Sequence, residues 1–400
     1  MSGAWLHIVG IGEDGMDGLS VAARRAIENA DHILGGKRHH ALVGDVKAAR
    51  INWPSPFDAL IAQLQSLRGQ NVVVLASGDP LWFSVGNTIA AKFDLADIEF
   101  HPHVGAFQMA AAALGWGLQD VDCCTVHGRP IERIKPLLQQ GRKLLLLTSN
   151  GVAISDIAQL LCDAGFGGSK LVALSNMGSD AQARFEGLAC EWDHTVPDLN
   201  TLAIDCVAGA DAQIYPQGAG LPDDAFAHDG TMTKQDIRAM TLAKLVPMPN
   251  ALLWDVGCGS GSVAVEWMRS ARAARAIGIE TRADRRAFAR QNALNLGGFD
   301  LPLIDKPVPE ALEGLEAPDA IFIGGGLSDE TFAQCLVALK PMGRLVCNAV
   351  TLGSEQLLLE KQAQHGGTLT RLQISRAAPV GTKMGWKPAM PVTQYSLVKR

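Results

Sequence analysis

The segment Leu252-Leu253-Trp254-Asp255-Val256-Gly257-Cys258-Gly259-Ser260-Gly261-Ser262 limits the possible folds more than any other part of the chain. An apolar run leads into alternating glycines, and helix formers follow over 263–269. This reads as a buried strand, a tight turn and a helix start. Glycine lets the chain turn sharply and lets backbone N–H groups come close to a ligand. The helix start adds unpaired N–H donors and the positive end of its dipole. A nucleoside-type ligand at the carboxyl end of a sheet is therefore expected.

Two ligand classes compete for that turn. A dinucleotide turn wants G-x-G-x-x-G/A, and Ser262 fits the third small position imperfectly. S-adenosylmethionine wants an acid ahead of G-x-G-x-G, which Asp255, Gly257, Gly259 and Gly261 supply. The next strand ends at Glu280, placed to hold a ribose diol through charge-assisted hydrogen bonds. A third strand ends at Asp305, either a partner for the adenine amine or a loop cap. A fourth ends in Ile323-Gly324-Gly325-Gly326, without the Asn/Asp-Pro-Pro-aromatic segment of many nitrogen methyltransferases. Bare glycine there leaves room for a bulky acceptor and favours carbon.

With 400 residues, 48% of them hydrophobic and 19% charged, the chain can build two packed domains and is not expected to be disordered. A net charge of −6 and only 6% aromatic residues argue against a nucleic-acid partner. None of the eight cysteines forms a C-x-x-C pair, which fits buried thiols in a reducing compartment. No leader-like start and no apolar stretch of membrane-spanning length is visible, so a soluble, cytoplasmic protein without a membrane partner is expected. His39-His40 are neighbours that point different ways and have no ligand at metal spacing, so no metal site is expected.

Strand-like runs alternate with helical patterns, predicting an α/β fold throughout. Strands are expected over 6–11, 72–77, 98–101, 143–148, 171–176 and 201–207. The second half adds 251–256, 275–279, 301–305, 320–323, 343–350, 369–375 and 392–398, the last two as an antiparallel pair. The stretch 211–230 is rich in Gly, Pro and Asp and lacks periodicity. It reads as a linker between a domain over 1–210 and another over 231–400. Thr233 and Asp236 suggest a capping box opening the helix that follows.

The first half has no acid-G-x-G-x-G. Its strands lead into Gly10-Ile11-Gly12-Glu13-Asp14-Gly15 and Ser77-Gly78-Asp79-Pro80. Each alone is a weak signal. Together with Pro102-His103-Val104-Gly105-Ala106-Phe107, Leu147-Thr148-Ser149 and Leu174-Ser175-Asn176-Met177-Gly178, they resemble the tetrapyrrole methylase family over about residues 4–208. The resemblance implies a fold of two α/β lobes. It also implies S-adenosylmethionine against Gly12, Ser77, Gly78, Asp79, Pro80, Val104 and Phe107. Glu13-Asp14 and Gly105-Ala106 depart from the family's usual Pro-Gly and paired serines.

The second half is similar to the small cobalamin-pathway methyltransferases that act on the corrin macrocycle at C-15. The likeness rests on Thr233-Lys234-Gln235-Asp236-Ile237-Arg238, the glycine turn, Ile323-Gly324-Gly325 and Asn348-Ala349-Val350-Thr351-Leu352. It implies a Rossmann-like class I methyltransferase with a mostly parallel sheet. The pair of resemblances, in this order, implies a second S-adenosylmethionine site and methylation of a precorrin at C-5 and C-15. It further implies loss of carbon dioxide from the C-12 acetate, and self-association into a homo-oligomer. A tetrapyrrole bearing many carboxylates calls for cations, and Lys234, Arg238, Arg376 and Lys383, with Asn348 and Thr351, are the candidate contacts. Such a substrate can act as its own electron sink, and no catalytic base stands out. A methyltransferase for RNA or another small molecule, a non-catalytic adenosine-ligand protein and an NAD-linked dehydrogenase are the alternatives.

Overall fold

The computed structural model describes residues 3–215 and 217–400, so Pro216 of the expected linker lies outside the described residues. The chain forms two compact units. One comprises Met1–Arg129 with Gln139–Gln213, the other Ile214–Arg400 with Pro130–Leu138.

The first unit carries two sheets. Strands β1 (Leu6–Ile11), β2 (His32–Gly35), β3 (Ala49–Asn52), β4 (Val72–Ser77) and β5 (Ile98–His101) form a parallel sheet in the order β3-β2-β4-β1-β5. Both faces are covered. Val9 and Ile11 pack on one side with Ile27 and Ile33, and Leu6 and Ile8 on the other with Leu60 and Leu64. Burial on both faces explains why Val72-Val73-Val74-Leu75 is continuously apolar. The second sheet takes β6 (Val121–Thr125), β7 (Lys143–Leu147), β8 (Lys170–Ser175), β9 (Ala183–Leu188) and β10 (Asn200–Asp205) in the order β6-β7-β10-β8-β9, with β10 antiparallel to both neighbours.

The second unit is built on β11 (Leu252–Val256), β12 (Arg275–Ile279), β13 (Leu303–Ile304), β14 (Ala320–Ile323), β15 (Arg344–Ala349), β16 (Thr368–Leu372) and β19 (Val392–Val398). A hairpin of β17 (Ser375–Val380) and β18 (Lys383–Pro388) stands apart. The sheet order is β13-β12-β11-β14-β15-β19-β16, and only β19 runs against the others. The order reverses between β11 and β14. At such a switch point the chain leaves the two strands in opposite directions and opens a crevice at their carboxyl ends. The antiparallel pairing of β16 with β19 agrees with the sequence.

The expected linker is a correction. Leu221 and Phe226 are buried in the same core as Leu242, Leu253 and Trp267, each stabilising the fold by about 1.5–3 kcal/mol. The carboxylate of Glu266 accepts the backbone N–H groups of Gly220 (2.6 Å) and Leu221 (2.9 Å). Asn292 fastens Ala227 from both sides, accepting its N–H and donating to its C=O. Aperiodic sequence here signals irregular backbone tied down by side chains from elsewhere, not a tether. The capping box is also not formed. Lys234 caps helix Gln235–Leu245 with no side-chain bond.

Candidate functional site

At the carboxyl ends of β11 and β14 lies a cavity of about 800 Å³, within the range of small-ligand sites. Gly257 (φ +70°), Gly259 (+55°) and Gly261 (+73°) all adopt the left-handed conformation. A side-chain carbon on Gly257 would sit 2.6 Å from the backbone N and Cα of Gly325. Gly257 must therefore lack a side chain for the turn after β11 to touch the glycines after β14, whereas a carbon on Gly325 itself would meet only ordinary contacts, 3.5 Å or more from Gly257. Gly259 faces open space, with no atom nearer than 3.9 Å to such a carbon. Gly261 does not line the cavity. It lets helix Ser262–Ser270 approach helix Ala283–Asn295, where an added carbon would lie 3.0 Å from the Cβ of Ala289.

Asp255 and Glu280 flank the turn. One oxygen of Asp255 accepts the N–H of Ala264 (3.0 Å), and the other is buried with no partner among the described residues. Burial, opposed by that hydrogen bond and helped by the charge of Glu280, pushes the Asp255 carboxyl up to about 7. Glu280 follows β12, and its oxygens accept the N–H groups of Gly259 (3.1 Å) and Arg282 (2.9 Å). Each oxygen of Glu280 keeps a lone pair for a ligand donor.

The same cavity is also lined by Lys234, Asn348 and Arg376. The polarity of the Asn348 amide is fixed. Thr241 donates its hydroxyl to the C=O of Ile237, so it must accept from Asn348 (3.0 Å) and Gln394 (3.1 Å). Gln394 then donates to the amide oxygen of Asn348 (3.0 Å). One N–H and one oxygen lone pair of Asn348 remain for the cavity. Arg376 pairs with Asp236 at the rim.

Four of the expected ligand contacts do not line this cavity. Arg238 is wholly buried. It bonds Glu266 (2.6 Å), Asp223 (3.2 Å) and the carbonyls of Thr233 and Leu221, because its helix turns that position into the core. Asp305 is 70% exposed beside Arg286, since β13 stops a residue early and the chain turns out. Lys306 lines the cavity in its place. Thr351 caps helix Leu352–His365 by accepting the N–H of Ser354. Lys383 is exposed on the hairpin, away from the cavity lining. Unforeseen lining residues include Thr231, Arg282, Arg285 and Met390.

In the first unit the carboxyl ends of β1, β4 and β5 converge. Gly78 (φ +62°) packs so closely that an added carbon would lie 2.8 Å from the Cα of Gly105. One on Gly12 would lie 2.8 Å from the ring of His103. Asp79 turns its carboxylate back to accept the N–H of Leu81 (2.7 Å), and Pro80 is buried. Val104 is exposed. Phe107 corrects the expectation of a ligand contact. It is 2% exposed in the apolar core, edge-on to Trp82 and Phe83. Ser77 meets Arg38 and the His39 ring, whose pKa is lowered to about 4 by burial and then by the Arg38 charge.

A family model described as "Tetrapyrrole (Corrin/Porphyrin) Methylases" matches residues 5–192, and one described as "Precorrin methyltransferase domain" matches 224–399. A Sinorhizobium protein named precorrin-6Y C(5,15)-methyltransferase [decarboxylating] is 43% identical over 99% of this chain and 96% of its own length. A cobalt-precorrin-7 C(5)-methyltransferase of Salmonella typhimurium is 31% identical over 43% of this chain and 85% of its own. A probable cobalt-precorrin-6B C(15)-methyltransferase (decarboxylating) of Pyrobaculum calidifontis is 32% identical over 44% and 96% respectively.

Proposed function

This chain belongs to the family of decarboxylating precorrin-6Y C5,15-methyltransferases, and we propose that it converts precorrin-6B to precorrin-8 in cobalamin biosynthesis. In this reading it methylates C-5 and C-15 and removes carbon dioxide from the C-12 acetate. Each unit holds its own S-adenosylmethionine. The second unit acts at C-15 and on the acetate, and the first acts at C-5.

The observation that carries the reading is the cradle at Asp255, Gly257, Gly259 and Glu280 sharing one cavity with Lys234, Asn348 and Arg376. The partnerless oxygen of Asp255 and the free lone pairs of Glu280 suit a ligand rich in N–H and O–H donors. When bound, the sulfonium supplies an electrophilic methyl group with its own leaving group. The chain's contribution is alignment, holding a carbon nucleophile in line beside the glycine floor. Lys234 and Arg376 would grip substrate carboxylates, and Asn348 would offer one donor and one acceptor. In the first unit, Gly12, Ser77, Gly78, Asp79 and Val104 stay as the proposed cofactor loops. Incubation with S-adenosylmethionine and reduced precorrin-6, read by mass spectrometry, tests the whole: two added methyl groups and one lost carbon dioxide are expected, and an unchanged macrocycle would refute it.

A pH dependence follows from Asp255. Its folded pKa of about 7 lies above the value of 3.8 for a free carboxyl. The fold therefore binds an extra proton between the two, and this group's contribution to stability falls as pH rises through that window. Ligand donors to the partnerless oxygen favour the ionised form. Binding of S-adenosylhomocysteine to the second unit should thus tighten about tenfold between pH 6 and 8. Asp255→Asn should flatten the profile in a calorimetric titration; an equally steep profile in that variant would remove Asp255 from the site.

A further inference from the structure

We propose that His7, Glu99 and His101 form a binding site for one divalent transition-metal ion with the N/O preference of zinc. His101 on β5 meets His7 from the neighbouring strand β1. In the parallel register of β1 and β5, His7 stands opposite Glu99, and Val9 opposite His101. Residues two apart on a strand share a face, so all three side chains meet on one side of the sheet.

The donor atoms form a compact triangle. Nδ1 of His7 and Nε2 of His101 are 3.1 Å apart. Oε2 of Glu99 lies 3.5 Å from the first, and its Oε1 lies 3.8 Å from the second. Ligands at about 2.0–2.2 Å around a tetrahedral ion stand roughly 3.3–3.6 Å from one another, and one donor atom from each of the three residues lies within 4.8 Å of the others, so small side-chain rotations bring them to a shared ion. Two imidazoles and a carboxylate favour zinc or its first-row neighbours over calcium or magnesium. His101 is buried, whereas Glu99 is 54% exposed. The site thus has a buried floor and one solvent-facing ligand. An ion there would fasten the edge strand β5 to β1 just ahead of the loops at Gly12 and His103. The site does not depend on the methyl-transfer reading.

The test is titration of metal-free full-length protein with Zn²⁺ by calorimetry, then with Co²⁺ by absorption. One equivalent of zinc should bind and raise the melting temperature. The cobalt form should show d–d bands without thiolate charge-transfer absorption. His7→Ala and His101→Ala should weaken binding at least about 100-fold, and exposed Glu99→Gln should weaken it without unfolding the protein. His194→Ala, remote from the triangle in sequence, should bind as before. Absence of zinc binding, binding indifferent to all three substitutions, or thiolate bands that place the ion on cysteines would each overturn the proposal.

Discussion

Replacing Gly259 with aspartate is expected to cut methylation at C-15 by at least about 1,000-fold, roughly 4 kcal/mol of transition-state stabilisation, and to leave methylation at C-5 unchanged. The backbone tolerates the change. Gly259 has φ +55°, and aspartate enters the left-handed region more readily than most residues. The new side chain would project into open space and fill the cradle. Its charge would stand beside Glu280, which already accepts the N–H of residue 259, and would meet like-charge repulsion. Position-resolved mass spectrometry of the product distinguishes the two transfers. Loss of both in a folded variant would mean that the units do not hold separate sites.

Arg238→Ala is expected to destabilise the second unit by about 3–5 kcal/mol, because removing one partner of a buried ion pair strands the other. At a few degrees per kcal/mol for a unit of this size, its melting transition should fall by roughly 10 °C. Glu266 would keep the N–H groups of Gly220 and Leu221 but lose its compensating charge. The double variant Arg238→Met, Glu266→Met should recover part of the loss. Recovery is incomplete because those two backbone donors then go unpaired. Differential scanning calorimetry checks this. An Arg238→Ala protein with an unshifted transition and a raised KM would restore the arginine to the substrate site.

These two residues illustrate what the sequence disclosed and what it concealed. Asp255, Gly257 and Gly259 were legible because strand, turn and helix start are contiguous, so local conformation alone builds the cradle. The expected strands over 6–11, 72–77, 98–101, 275–279, 320–323 and 392–398 coincide with β1, β4, β5, β12, β14 and β19, most of which are apolar runs. The short strands β2 and β3 were not foreseen, being four residues each and partly polar. Nor was the hairpin β17–β18, whose largely exposed residues leave no alternation to read. Arg238 was misplaced because charge normally marks a solvated face, and its partner Glu266 is 28 residues away. The closeness of Gly257 to Gly325 and the meeting of His7 with His101 are likewise products of strand pairing. No local pattern encodes them.

Each unit is proposed to hold its own adenosyl ligand. Calorimetric titration of the full chain with S-adenosylhomocysteine counts the sites directly. Two equivalents per chain are predicted, falling to one in Gly259→Asp; a single equivalent in the unaltered protein would contradict the account.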